Sequence, residues 1–142
     1  MNTAVRKNSI KRQAILAALM STKEHPSAER IYAELKPQYP DLSLGTVYRN
    51  LNLFREDGTI MVVGTVNGQE RFDFNTEPHP HFICTGCGRV IDIDMPMPGD
   101  ALWAGTAAEH SLEVRGCQIT LTGLCRDCSE KEKTQAQTPE EI

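Results

Sequence analysis

The apolar positions in the first half of the chain recur with a helical period. Over residues 10–20, Ile15, Leu16 and Leu19 fall on one face, and Ser9 is placed to cap a helix there. The stretch HPSAERIYAEL (25–35) predicts a second helix, with Ser27 at its cap, Ile31, Tyr32 and Leu35 inward, and Pro37 and Pro40 ending it. The third run is SLGTVYRNLNLFREDG (43–58), bounded by Ser43 as N-cap and Gly58 as stop. Leu44, Val47, Leu51 and Phe54 share its inner face. Gly45, Arg49, Asn52 and Glu56 point the other way, with Tyr48 at the rim.

After Gly58 the period changes to two. TIMVVGTV and QERFDF flank Asn67-Gly68, a strong hairpin signal. Three helices and a hairpin predict a winged helix-turn-helix over residues 1–74. NTEPHP (75–80) then reads as a hinge. Beyond it, HFIC, RVIDID and VRGCQITLTGL read as strands, and GDALWAGTAAEH (99–110) as a helix between the last two. Residues 81–128 thus form an α+β unit. The polar tail, 129–142, is expected to be frayed or disordered.

Charge sharpens this division. The net charge of −4 is wrong for a nucleic-acid binder, but it is unevenly spread. Residues 1–58 carry nine Lys/Arg against six Asp/Glu, and the remainder six against thirteen. One half is suited to a polyanion and the other is not. With no apolar signal segment or membrane-length run, the chain is expected to be cytoplasmic and not membrane-bound, with reduced thiols.

Reduced thiols change the meaning of the five cysteines. Four of them form two C-x-x-C pairs, Cys84/Cys87 and Cys125/Cys128, with 37 residues between the pairs. Four thiolates suit a closed tetrahedral Zn²⁺ site, which has no open position for substrate and is therefore structural. Gly86 and Gly88 permit the tight turn of the first pair. Reduced cysteines packed as small hydrophobes, or a redox pair, are the competing readings. The strand–turn–strand setting disfavours the latter. Cys117 is expected to be an unligated strand thiol.

The same stretch, HPHFICTGCGRVID (79–92), holds a second donor set. In a strand over 79–84, His79 and His81 share a face. The turn near residue 86 reverses the chain and brings Asp92 opposite them. Imidazole and carboxylate donors suit Fe²⁺, Mn²⁺ or Zn²⁺. Read locally, His25 is an ordinary surface residue before a proline, and Asp73 pairs with Arg71 or solvent.

The order and spacing of RQAIL (12–16), HPSAERIY (25–32), SLGTVYRNLNLF (43–54), RFDF (71–74), HPHFICTGCGRVIDI (79–93) and GLCRDC (123–128) resemble the ferric uptake regulator family of dimeric, metal-dependent bacterial repressors. The resemblance implies a homodimer whose winged-helix domain binds a palindromic double-stranded DNA operator, joined by a hinge to an α/β dimerisation domain. It places structural zinc on Cys84, Cys87, Cys125 and Cys128. It completes a regulatory Fe²⁺ or Mn²⁺ site from His25, Asp73, His79, His81 and Asp92. Aspartates at 73 and 92, where iron-responsive members often carry glutamates, resemble the peroxide-responsive repressor branch. There, a ligand histidine gains an oxygen, and His25 and His79 are the candidates by position. A further metal site of some members has no counterpart, since Pro78 and Pro80 break its His/Asp run and Cys117 stands at its strand position.

For DNA, Tyr48 and Arg49 are expected in the major groove, with Lys11, Arg12 and Arg55 on phosphates. The bland reading of each basic residue is a solvated helix face. Two other functions compete. One is a sibling regulator sensing iron, zinc or manganese availability without redox chemistry. The other is a metallohydrolase on His79, His81 and Asp92, disfavoured by a site filled with five protein ligands together with a DNA-reading helix; the ligand count alone does not decide, since a peroxide-sensitive site also needs access for hydrogen peroxide.

Overall fold

The computed structural model describes residues 3–137. The chain divides into two compact units, Met1–Thr76 and Glu77–Ile142.

The first unit is a winged helix-turn-helix. Its helices are α1 (Thr3–Met20), α2 (Ala28–Leu35) and α3 (Leu44–Glu56), followed by strands β1 (Met61–Val66) and β2 (Gln69–Asp73). Apolar stripes meet in one core of Ile15, Leu19, Ala28, Ile31, Leu42, Val47, Leu51, Phe54, Ile60 and Phe72. Ser27 and Ser43 cap α2 and α3 by accepting from the amides of Arg30 and Thr46. α3 ends in a Schellman motif: Gly58 takes φ +82°, and the Thr59 and Gly58 amides donate to the carbonyls of Phe54 and Arg55. Asn67 and Gly68, at φ 52° and 79°, make the turn that joins β1 to β2.

The expected cap at Ser9 is corrected. α1 runs from Thr3, so Ser9 lies inside the helix. No glycine or proline stands between Thr3 and Met20 to stop it.

The second unit is a three-stranded sheet in the order β4-β3-β5, from β3 (His81–Cys84), β4 (Val90–Asp92) and β5 (Thr120–Gly123). β4 is antiparallel to β3, and β5 is parallel to it. Because β3 has four residues, β5 can pair only over the same length. The long strand expected to contain Cys117 is therefore short, and Cys117 precedes it, half-buried. The expected helix over 99–110 is broken into a 3₁₀ turn, Asp100–Leu102, and a short α4, Ala104–Glu109. Gly99 and Gly105 weaken it. The tail also departs from expectation. α5 (Arg126–Gln137) continues past Cys128, since Glu, Lys, Gln and Ala favour helix; residues 138–142 lie outside the described residues.

Burial in this unit is thin. Among the described residues only Pro80, His81, Cys84, Val90 and Cys125 are buried, while Met95, Leu102, Leu112, Val114 and Leu121 are exposed.

Candidate metal centres

The two cysteine pairs meet. Cys84 ends β3, Cys87 lies in the following turn, and Cys125 and Cys128 stand at the start of α5. The register sets Cys84 beside Gly123, so the chain leaving β5 carries Cys125 to Cys84. The four sulfurs all lie within 4.8 Å of one another, with Cys87 and Cys125 at 3.8 Å. A tetrahedral zinc with bonds of about 2.3 Å separates its sulfurs by about 3.8 Å, so the four thiols fit that ion.

The backbone prepares this cluster for ionised sulfur. The amides of Cys125 and Cys87 donate to Cys84 Sγ at 3.3 and 3.4 Å. These bonds hold the Cys84 thiol down at about 6. Cys128 is pushed up to about 12, first by its bond with Cys125 and then by that with Cys84. Four adjacent thiols cannot all ionise unaided, and a bound dication removes that conflict. Two glycines make the approach possible. Gly88 turns at φ 76°, while a Cβ on Gly86 would lie 3.0 Å from Cys128 Sγ.

Within the first unit, His25 and Asp73 form a buried pair, with Nδ1 3.5 Å from Oδ2. Strand β2 brings them together. The Phe72 amide donates to the Pro26 carbonyl at 3.1 Å, and Ser27 forms a β-bridge with Arg71. The Arg71 guanidinium donates to the carbonyls of both Glu24 and His25. His25 takes a left-handed φ of 54°. The local reading of His25 as a surface residue is therefore corrected: the ring is buried. Arg71 serves the chain ahead of α2 rather than acting only as a partner for Asp73.

Within the second unit, His79, His81 and Asp92 converge. His81 faces Asp92 in the β3–β4 register. The Nε2 atoms of His79 and His81 lie 3.1 and 3.2 Å from the same Asp92 Oδ1, and their ring centroids are 4.2 Å apart. His79 also meets the Glu77 carbonyl through Nδ1, at 2.6 Å. The strand begins at His81, not His79. The histidines converge although only one belongs to the strand.

The expected DNA residues all lie on the first unit. Tyr48 and Arg49 are exposed on α3. Tyr48 donates to a Glu29 carboxylate oxygen, which raises its phenol, and Arg49 donates to the Thr46 hydroxyl at 3.0 Å. The remaining cations have partners in the same unit. Lys11 pairs with Asp41 at 3.2 Å, Arg12 donates to Asn50 at 3.2 Å, and Arg55 pairs with Glu70 at 3.1 Å. Sequence reasoning missed Glu29, Asn50 and the carbonyl-binding role of Arg71. Only Arg71 left a signal: the strand period in RFDF sets it on the same face as Asp73.

A fold of this kind, with a four-thiol knuckle and His/Asp donor sets, defines a class of metal-binding regulators. The model of the ferric uptake regulator family matches residues 4–122, and the chain belongs to that family. It is 35% identical over 122 residues to the peroxide-responsive repressor PerR of Staphylococcus aureus strain USA300, covering 84% of this chain and 80% of that one. Its fold is similar to the Helicobacter pylori ferric uptake regulator, at a TM-score of 0.72 and 22% identity, covering 89% of this chain and 87% of that one. It is also similar to the Campylobacter jejuni peroxide stress regulator, at a TM-score of 0.67 and 27% identity, covering 90% of this chain and 100% of that one. The Staphylococcus relative is named a repressor.

Proposed function

We propose that this chain is a dimeric, metal-dependent DNA-binding repressor that responds to hydrogen peroxide. The observation that carries the reading is the donor chemistry. His25 with Asp73 in one unit, and His79 and His81 with Asp92 in the other, are imidazoles paired with aspartates, suited to Fe²⁺ or Mn²⁺. Similarity to a peroxide-responsive repressor supports it. Structural zinc belongs on Cys84, Cys87, Cys125 and Cys128, and one regulatory ion takes His25, Asp73, His79, His81 and Asp92 together.

Residues 1–74 bind DNA, 75–80 act as the hinge and 81–128 dimerise. The exposed leucines of the second unit suit burial against a second copy. Tyr48 and Arg49 enter the major groove. Lys11, Arg12 and Arg55 meet phosphates by exchanging their present partners for DNA. An ion held by ligands from both units fixes how the two recognition helices sit relative to half-sites one helical turn apart. Metal and DNA then strengthen each other's binding reciprocally. Among the described residues no helix is long and apolar enough to cross a membrane, and we place the protein in the cytoplasm.

Fe²⁺ held by His25, Asp73, His79, His81 and Asp92 would supply the redox chemistry for cleaving the peroxide O–O bond. In the net change, one peroxide oxygen is inserted into a ring C–H bond of His25 or His79 to give C–OH, and the other leaves as water with the two peroxide hydrogens. The altered ring binds metal poorly, and the repressor releases DNA. The test is to load the zinc-containing protein with Fe²⁺, add substoichiometric hydrogen peroxide and map its peptides by mass spectrometry. One added oxygen on the His25 or His79 peptide, with lost duplex binding, is expected. Oxidation confined to cysteines, or none, leaves a sensor of metal availability instead.

A further inference from the structure

We infer that Arg71 is a positioning residue for the regulatory metal, holding the His25 ligand in place through backbone carbonyls without touching the ion. This rests on the reading of His25 and Asp73 as ligands. The guanidinium is a rigid planar fork of donors. Here Nε donates to the His25 carbonyl and Nη2 to the Glu24 carbonyl, the latter at 2.7 Å. Two successive carbonyls can meet one fork because the chain turns between them, and that turn is the left-handed conformation of His25, at φ 54°. A residue other than glycine rarely adopts it unless its surroundings impose it.

The surroundings are built for that purpose. β2 holds the segment from its backbone side, through the Phe72 amide on the Pro26 carbonyl and the Ser27–Arg71 bridge. Strand alternation then gives Arg71 and Asp73 the same face. One face of β2 therefore both clamps the chain at His25 and supplies the carboxylate beside its ring. A charge kept half-buried against two carbonyls is well placed to fix a backbone.

The test measures Mn²⁺ affinity by electron paramagnetic resonance on the zinc-loaded full chain, comparing wild type, Arg71→Met, Arg71→Lys and His25→Ala. Loss of such outer support weakens metal binding by roughly 10–100-fold, and Arg71→Met is expected to fall in that range. Arg71→Lys, which keeps one charged donor, should recover part of the loss. Zinc content should stay unchanged in both. A merely structural role would lower the thermal midpoint of the Mn²⁺-free protein but leave the Mn²⁺ affinity of the folded chain unaltered, and that result overturns the inference. If Arg71→Met does not fold, Arg71→Lys decides the matter: wild-type affinity overturns it and weakened affinity supports it. If His25→Ala binds Mn²⁺ as wild type does, the ligand assignment itself has failed, and the role of Arg71 falls with it.

Discussion

His81 and Asp92 face each other across the β3–β4 pair, and His81 Nε2 lies 3.2 Å from Asp92 Oδ1. The register fixes this pairing, and the proposed regulatory metal would give it a use. Asp92→Ala should therefore abolish high-affinity Mn²⁺ binding while sparing the fold. Asp92 is exposed, and exposed substitutions usually change stability by no more than about 0.5 kcal/mol. Urea unfolding and metal analysis on one preparation check both halves. An unfolding free energy lowered well beyond that range would mean that Asp92 is structural, and would merge two roles kept separate here.

The thiol cluster should behave in the opposite way. Few side chains of the second unit are buried, and two of those few are Cys84 and Cys125. A unit with so little core depends on its staple. Cys84→Ser should lose zinc and the cooperative unfolding of residues 77–142, while the helices of the first unit persist by circular dichroism. Gly86→Ala is the finer probe. Its Cβ would fall 3.0 Å from Cys128 Sγ, and overpacking of this kind typically costs about 1–3 kcal/mol. Zinc competition with a chromophoric chelator should show weaker binding. Wild-type zinc affinity would show that the turn yields more readily than its geometry implies.

Leu51 tests the first unit. It is fully buried on the inner face of α3, in the core shared with α1 and α2. Leu51→Ala should destabilise by about 2–5 kcal/mol, measured by chemical denaturation. Exposed Asn52, the next residue, should tolerate alanine within about 0.5 kcal/mol. Comparable losses at both positions would contradict the helical phase.

That phase was readable from the chain because α3 satisfies several local rules at once. Ser43 caps it, Gly58 ends it, and Val47, Leu51 and Phe54 repeat at its period. The knuckle was legible for a similar reason, since each C-x-x-C pair is local. The pairing of His25 with Asp73 was not. It depends on β2 lying beside residues 24–27, a contact between segments almost fifty residues apart whose acceptors are backbone carbonyls; of its donors only the Arg71 side chain shows in the sequence, and its strand position names no partner. The tail failed for another reason. Polar composition suggested disorder, but helix propensity and attachment to Cys125 and Cys128 carried α5 to Gln137.

The recognition helix gives the last expectation. Tyr48 donates its hydroxyl to Glu29 Oε1, while the other oxygen of that carboxylate, Oε2, is buried without a hydrogen-bond partner among the described residues. While that bond persists, the hydroxyl is not free to donate to DNA, so the ring is the part of Tyr48 offered to a thymine methyl. Tyr48→Phe keeps the ring and should bind duplex DNA nearly as wild type. Tyr48→Ala removes it and should weaken binding. Arg49 has no such constraint. Among the described residues its guanidinium bonds to a hydroxyl of the same helix alone, so it can turn to a guanine edge, and Arg49→Ala should cost about 1–3 kcal/mol with relaxed sequence preference. Fluorescence anisotropy at fixed salt, with Mn²⁺ present, separates these outcomes. A large loss for Tyr48→Phe, equal to that of Tyr48→Ala, would show that the hydroxyl leaves Glu29 to bind DNA, and would make Glu29 its resting partner rather than its permanent one.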